Sequence, residues 1–148
     1  MLPAERARRC GITPPDDAPY ALVEKAGNAI RLAAVDIRAL ELGLAPGLPL
    51  ADARARVPDL EAIEHDPGAD GALLGWLAEG CDRYTPLVAL DAPDGLILDI
   101  TGCQHLDPRG ETGLARRAVR DLARIGITAQ TGLADTPDAA AALARFGG

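Results

Sequence analysis

The sequence predicts an α+β fold: a split βαβ (ferredoxin-like) arrangement that lacks its first strand and carries a small insertion of short elements. Two patterns and one compositional fact predict it. From Ala69 to Leu133 the elements read helix, strand, strand, helix, strand. Residues 20–64 hold shorter strands and helices, placed as an insertion after the missing first strand. Nearly half of the 148 residues are apolar (48%) but only 3% are aromatic, so a core forms from Leu, Ile, Val and Ala.

The basic opening MLPAERARRC (1–10) reads as a short helix, and GITPPDDAP (11–19) as a Pro- and Asp-rich connector. Tyr20–Glu24 and Ile30–Val35 read as strands. Gly27-Asn28 between them is a turn signal, so a hairpin is expected. Residues 36–42 have helical character closed by Gly43. Residues 50–57 form a second short helix ended by Pro58, and residues 60–64 a strand. From Ala69 a longer helix places Leu73, Trp76, Leu77, Cys81 and Tyr84 on one apolar stripe, which assigns Trp76 to the core.

Two strands follow, Leu87–Leu90 and Gly95–Thr101, joined by the turn Ala92-Pro93-Asp94. Leu96, Leu98 and Ile100 share one face of the second strand; Ile97, Asp99 and Thr101 share the other. Residues 111–124 form an amphipathic helix with Leu114, Ala118, Leu122 and Ile125 inward. Ile127–Leu133 reads as a strand. Thr136-Pro137-Asp138 then supplies an N-cap, a proline at the first helical position and an acid at the positive end of the dipole. A last helix is expected to end at Gly147-Gly148.

The net charge of −7 argues against a dedicated nucleic-acid binder, which presents a basic surface. Local cations remain. Arg116, Arg120 and Arg124 repeat at i, i+4 and i+8 with Arg117 beside them, a stripe that suits DNA contact or a solvated helix face. Cys10, Cys81 and Cys103 form no CxxC pair, so they read as free thiols. Cys103, His105 and Asp107 lack a fourth ligand for a zinc site, and no metal is expected there. There is no signal peptide and no apolar run long enough to cross a bilayer. A cytoplasmic bacterial protein without membrane contact is expected.

Three stretches in order carry a family resemblance: IRALELGLAPGLPLADARARVPDL (37–60), RYTPLVALDAPDGLILDITGC (83–103) and TAQTGLADTPDAAAALARFGG (128–148). They resemble the fingers helix and turn, the palm hairpin and the closing palm strand–turn–helix of Y-family (UmuC/DinB-like) translesion DNA polymerases. The resemblance implies a fingers-like subdomain at 20–66 and a palm-like subdomain at 67–148. A helix remnant and connector precede them at 1–19, and thumb and little-finger domains are absent.

The family transfers nucleotides through two metal ions held by clustered carboxylates. One comes from the first palm strand, which this sequence lacks; two come from a Ser-x-Asp-Glu sequence in the hairpin. Matching this hairpin by its Leu-Asp-Ile-Thr-Gly end puts Asp94 on the first acid and Gly95 on the Glu. Ile37 and Leu40 stand where the family offers a Tyr and an Arg to the triphosphate, and Ala141 where it offers a Lys; Arg38 and Arg145 lie nearby. With cations and hydroxyls replaced by aliphatic groups, phosphate charge has no partner.

Such coordinated loss resembles the ImuB-type, catalytically inactive branch of the family. That likeness implies an accessory role in DNA repair and damage-induced (SOS) mutagenesis. Its implied partners are a sliding clamp, an ImuA-type RecA-like protein and an error-prone C-family polymerase, bound through segments not in this chain; damaged DNA is a further one. No cofactor is expected. Mg2+ enters only under a competing reading, an active translesion polymerase. A third reading is an unrelated ferredoxin-like interaction module.

Overall fold

The computed structural model describes residues 1–14 and 17–147. Positions 15 and 16 of the connector, and Gly148 of the expected glycine terminus, lie outside the described residues. The chain divides into two compact units, Met1–Asp70 and Gly71–Gly148. The division falls in the first turn of the helix that begins at Pro67.

In the first unit, α1 (Leu2–Arg9) precedes the hairpin β1 (Tyr20–Ala26) and β2 (Ala29–Val35). Ala26 pairs with Ala29 across Gly27-Asn28. Gly27 takes φ of +63° while Asn28 does not turn positive, the pattern of a two-residue loop with glycine at its first central position. Asp36 then caps α2 (Ile37–Glu41), accepting from the Ala39 amide at 2.9 Å and from the Tyr20 amide at 3.1 Å. One buried carboxylate thus ties the helix start to β1. After α3 (Leu50–Arg56), β3 (Glu61–Glu64) returns parallel to β1, giving the sheet order β2-β1-β3.

This sheet is covered on both faces. Ala21, Leu32 and Val35 pack with Ala39, Leu44, Ala53, Val57 and Leu60 of the α2–α3 region. Tyr20, Leu22 and Ala34 pack with Ala4 and Ala7 of α1. Helix α4 (Pro67–Gly80) opens with Asp66 as its cap, accepting from the Ala69 amide at 2.9 Å, two residues earlier than the sequence suggests.

In the second unit α4 runs into a 3-10 turn at Cys81–Arg83. The hairpin β4 (Val88–Asp91) and β5 (Gly95–Leu98) follows, then α5 (Gly110–Arg124) and α6 (Pro137–Phe146). Leu114 is buried with Cys81 and Tyr84, and Val88, Leu96, Leu98, Ile100 and Ala118 pack against them, so the expected inward face of the second strand is observed. Thr136 caps α6 by accepting from the Ala139 amide, and Gly147 ends it.

Four expectations fail. Trp76 is 52% exposed; Leu77, Cys81 and Tyr84 of the assigned stripe are buried, and Leu74 rather than Trp76 completes the buried face. Ile125 follows the last turn of α5 and is exposed rather than inward. Residues 127–133 join no ladder among the described residues, and β5 stops at Leu98 rather than Thr101. Strand-like composition is not sufficient, because a strand forms only where its amides and carbonyls find a partner. The fold class is therefore α+β with two small sheets.

Candidate functional site

The hairpin tip gathers the residues the sequence singles out. Asp91 pairs with Gly95, leaving Ala92-Pro93-Asp94 as a three-residue loop. Asp94 and Asp91 both face Arg145 of α6: Nη2 lies 2.9 Å from Asp91 Oδ2 and 3.7 Å from Asp94 Oδ1. The hydrogen bond to Asp91 holds the Arg145 guanidinium above its already high ordinary value.

Gly95 is more than a missing ligand. A Cβ built there would stand 2.8 Å from the Asp91 carbonyl oxygen and 2.9 Å from Asp91 Oδ2. The hairpin therefore has no room for a side chain at the position matched to the family's Glu. Ala141, one turn before Arg145 on the same helix, is half-buried. In the other unit, Ile37 and Leu40 are exposed (57% and 46%) on α2, while the neighbouring Arg38 pairs with Asp17 at 3.0 Å. None of the aliphatic groups offers a donor to a phosphate.

These residues do not fit the metal pair the family resemblance implies. One hairpin acid lacks its neighbouring Glu, the other side chain at the tip is already engaged by a cation, and among the described residues no group of three or more His, Cys, Asp or Glu side chains converges for a metal. Cys103, His105 and Asp107 are each turned to other work. Cys103 is half-buried beside the core, His105 Nδ1 meets the Gly102 carbonyl at 3.0 Å, and Asp107 accepts from the Arg109 amide at 2.9 Å at the start of α5.

The specific-looking motifs at 83–86 and 98–102 are structural. Tyr84 donates to Asp121 at 2.6 Å, and Thr85 donates to the Asp99 carbonyl at 2.6 Å. Asp99 accepts from the Thr101 amide at 3.0 Å, and Gly102 turns with φ of +78°. Burial, and then the Asp121 hydrogen bond, push Tyr84 up to about 12. The same hydrogen bond holds the Asp121 carboxyl below its usual range. Asp121 also draws in Arg124 at 3.1 Å and Arg117 at 3.9 Å, with Arg117 over the Tyr84 ring. Of the predicted basic stripe, Arg116 and Arg120 are exposed on α5, whereas Arg117 and Arg124 are engaged with Asp121.

Sequence reasoning missed Asp91 as a member of the tip. The available signal was spacing: Arg145 stands at i+4 from Ala141, so a cation remains on that helix face, one turn on.

Comparison with solved structures gives the class. The insertion ternary complex of Dbh DNA polymerase aligns with a TM-score of 0.84 at 18% identity, over 97% of this chain and 43% of that one. The post-insertion binary complex of Dbh aligns at 0.86 and 18% over 97% and 42%. A Y-family chimera containing Dbh aligns at 0.78. The fold is that of a Y-family DNA polymerase. Over 106 residues the chain is also 52% identical to Protein ImuB of Caulobacter vibrioides strain NA1000 / CB15N, and equally to that of strain ATCC 19089 / CIP 103742 / CB 15. Over those residues the chain is homologous to part of ImuB, on the fold of a Y-family polymerase. The match covers 72% of the chain and 23% of the length of these curated relatives, so the chain spans about a quarter of them. No family model matches. Among the described residues no helix is long and apolar enough to cross a membrane.

Proposed function

We propose that the chain is part of a non-catalytic, polymerase-like accessory protein of DNA repair and damage-induced mutagenesis, one that keeps the Y-family scaffold without its nucleotide transfer. The observation that carries this is the hairpin tip. Gly95 abuts the Asp91 carbonyl where the Glu would stand, and the remaining acids face Arg145. Two-metal transfer needs carboxylates free to hold ions at the attacking and leaving oxygens. Exposed Ile37 and Leu40 support the same reading, since apolar groups there cannot neutralise a triphosphate.

As such a factor it would act through others: a sliding clamp, an ImuA-type RecA-like protein and an error-prone C-family polymerase, bound by segments outside this chain. Damaged DNA, if it touches this region, would meet Arg116 and Arg120 of α5. Replacing both by Glu should then weaken binding and flatten its salt dependence, and an unchanged salt titration removes that contact. Primer extension with Mg2+ or Mn2+ tests the main reading. No templated incorporation is expected; incorporation abolished by Asp94→Ala would overturn it and favour an active translesion polymerase. The 52% identity to ImuB leaves no ground for an unrelated ferredoxin-like module.

A further inference from the structure

We propose that Arg145 is the built-in counter-cation of the hairpin tip, bridging Asp91 and Asp94 and thereby closing the tip to divalent metal ions. The proposal deepens the non-catalytic reading above and rests on it. Its basis is the mismatch between the tip and the metal pair expected in this fold.

Four residues make one linked arrangement. The space above Gly95 is filled by the Asp91 carboxylate, whose Oδ2 lies 2.9 Å from where a Cβ would be. That placement aims the same oxygen at Arg145 Nη2, 2.9 Å away. Asp94, at the far end of the loop, presents Oδ1 to the same nitrogen at 3.7 Å. Arg145 is able to reach both because α6 carries it one turn beyond Ala141, on the face turned to the hairpin. The absence of a side chain at 95 and the presence of a cation at 145 are thus two halves of one device: the first lets Asp91 fold over the strand, and the second neutralises what is folded there.

A guanidinium suits this task. It is always charged, and its fan of donors serves two carboxylates at once. It also repels an incoming cation. A divalent ion beside a fixed positive charge at about 4 Å is disfavoured even in water-like dielectric, and the acids it would need are already satisfied. These groups are partly exposed, so the effect is screened and moderate.

Mn2+ titration of the full chain, read by water-proton relaxation enhancement, tests the proposal without relying on activity. Wild type and Arg145→Lys should give the same curve. Arg145→Gln should bind Mn2+ roughly tenfold more tightly, from the charge removed at this distance, and adding Asp91→Asn should cancel the gain. Asp94→Asn alone, with Arg145 in place, should leave the curve unchanged. A folded Arg145→Gln chain with the wild-type curve overturns the proposal. So does a gain that survives Asp91→Asn, or a loss of Mn2+ binding in Asp94→Asn alone. Primer extension on the same proteins separates the two readings. Templated synthesis by wild type would sink the non-catalytic function whatever the Mn2+ curves show, and the Mn2+ curves decide the role of Arg145 whatever the primers show.

Discussion

Restoring the family's Glu by Gly95→Glu should destabilise the chain, and the offending atom is Cβ rather than the charge. That Cβ would sit 2.8 Å from the Asp91 carbonyl oxygen, 2.9 Å from Asp91 Oδ2 and 3.1 Å from Asp91 Cβ, against a relaxed separation of about 3.5–4.0 Å. The Asp91 carboxylate is able to swing away by giving up Arg145, a surface pair worth up to about 1 kcal/mol. The carbonyl is not, because Asp91 and Gly95 face each other as the last pair of the hairpin. Overpacking of this kind costs about 1–3 kcal/mol. The opposing term is the unfolded chain: replacing a glycine whose φ is not positive stabilises by about 0.4–1 kcal/mol. Strain wins, with a net loss of about 1–2 kcal/mol. At about 2–4 °C per kcal/mol for a chain of this size, Tm falls by about 2–8 °C. Thermal unfolding followed by the fluorescence of Trp76, the single tryptophan, reads this. Gly95→Ala should lose nearly as much as Gly95→Glu. An alanine variant as stable as wild type would refute the steric argument.

The buried Arg6–Asp70 pair joins α1 to the start of α4, and His65 links Asp70 to Glu24 at 2.8 and 3.1 Å. Asp70→Ala strands the buried Arg6 charge and should cost about 3–5 kcal/mol; Arg6→Ala leaves Asp70 its His65 contact and should cost less, with the double variant well short of the sum in urea unfolding. Gly132→Ala should loosen the seat of α6, since its Cβ would lie 2.3 Å from the Ala140 carbonyl oxygen; near-wild-type stability would contradict it. Leu114→Ala empties a fully buried position of the second unit and should cost about 2–5 kcal/mol by denaturant unfolding. Both tyrosines are pushed upward, so in the folded chain the phenolate absorbance should rise above pH 10 rather than around it. Because Tyr84 holds its proton more tightly folded, at about 12, than unfolded, at about 10, its contribution is full below pH 10 and is lost from there towards pH 12. Tyr84→Phe should flatten the fall of stability across that window.

Features specified by neighbouring residues were legible in the sequence. Gly27-Asn28 joins β1 and β2 as expected, and Thr136-Pro137-Asp138 opens α6 with the predicted cap. Each is settled within four residues by backbone preference and one hydrogen bond. What failed depends on distant partners. Residues 127–133 have strand composition, but a ladder is a property of two segments, and among the described residues no second segment pairs with this one. Trp76 was assigned inward because a large apolar residue at helical spacing belongs to a stripe. Yet Leu73 and Leu74 are both candidates to begin that stripe, and the choice turns on which face meets the core; Leu74 does. The parallel return of β3 onto β1 is likewise a crossover that no local signal announces.

The candidate site divides along the same line. Residue identities at 37, 40, 94, 95 and 141 were readable, and each looked like an independent loss. Their geometry makes at least the hairpin part interdependent. If Gly95 were only a lost ligand, a single substitution would restore it; with the Asp91 carbonyl 2.8 Å from the new Cβ, the same substitution must also move the strand pair. If Arg145 were an ordinary surface charge, neutralising it would leave the hairpin indifferent; with both acids turned toward it, the tip would instead hold two like charges three residues apart. On the non-catalytic reading proposed above, rebuilding a metal site at this hairpin would therefore take at least two coupled changes, each unfavourable while the other is wild type. On that reading, such coupling would hold the scaffold more than one substitution away from an enzyme.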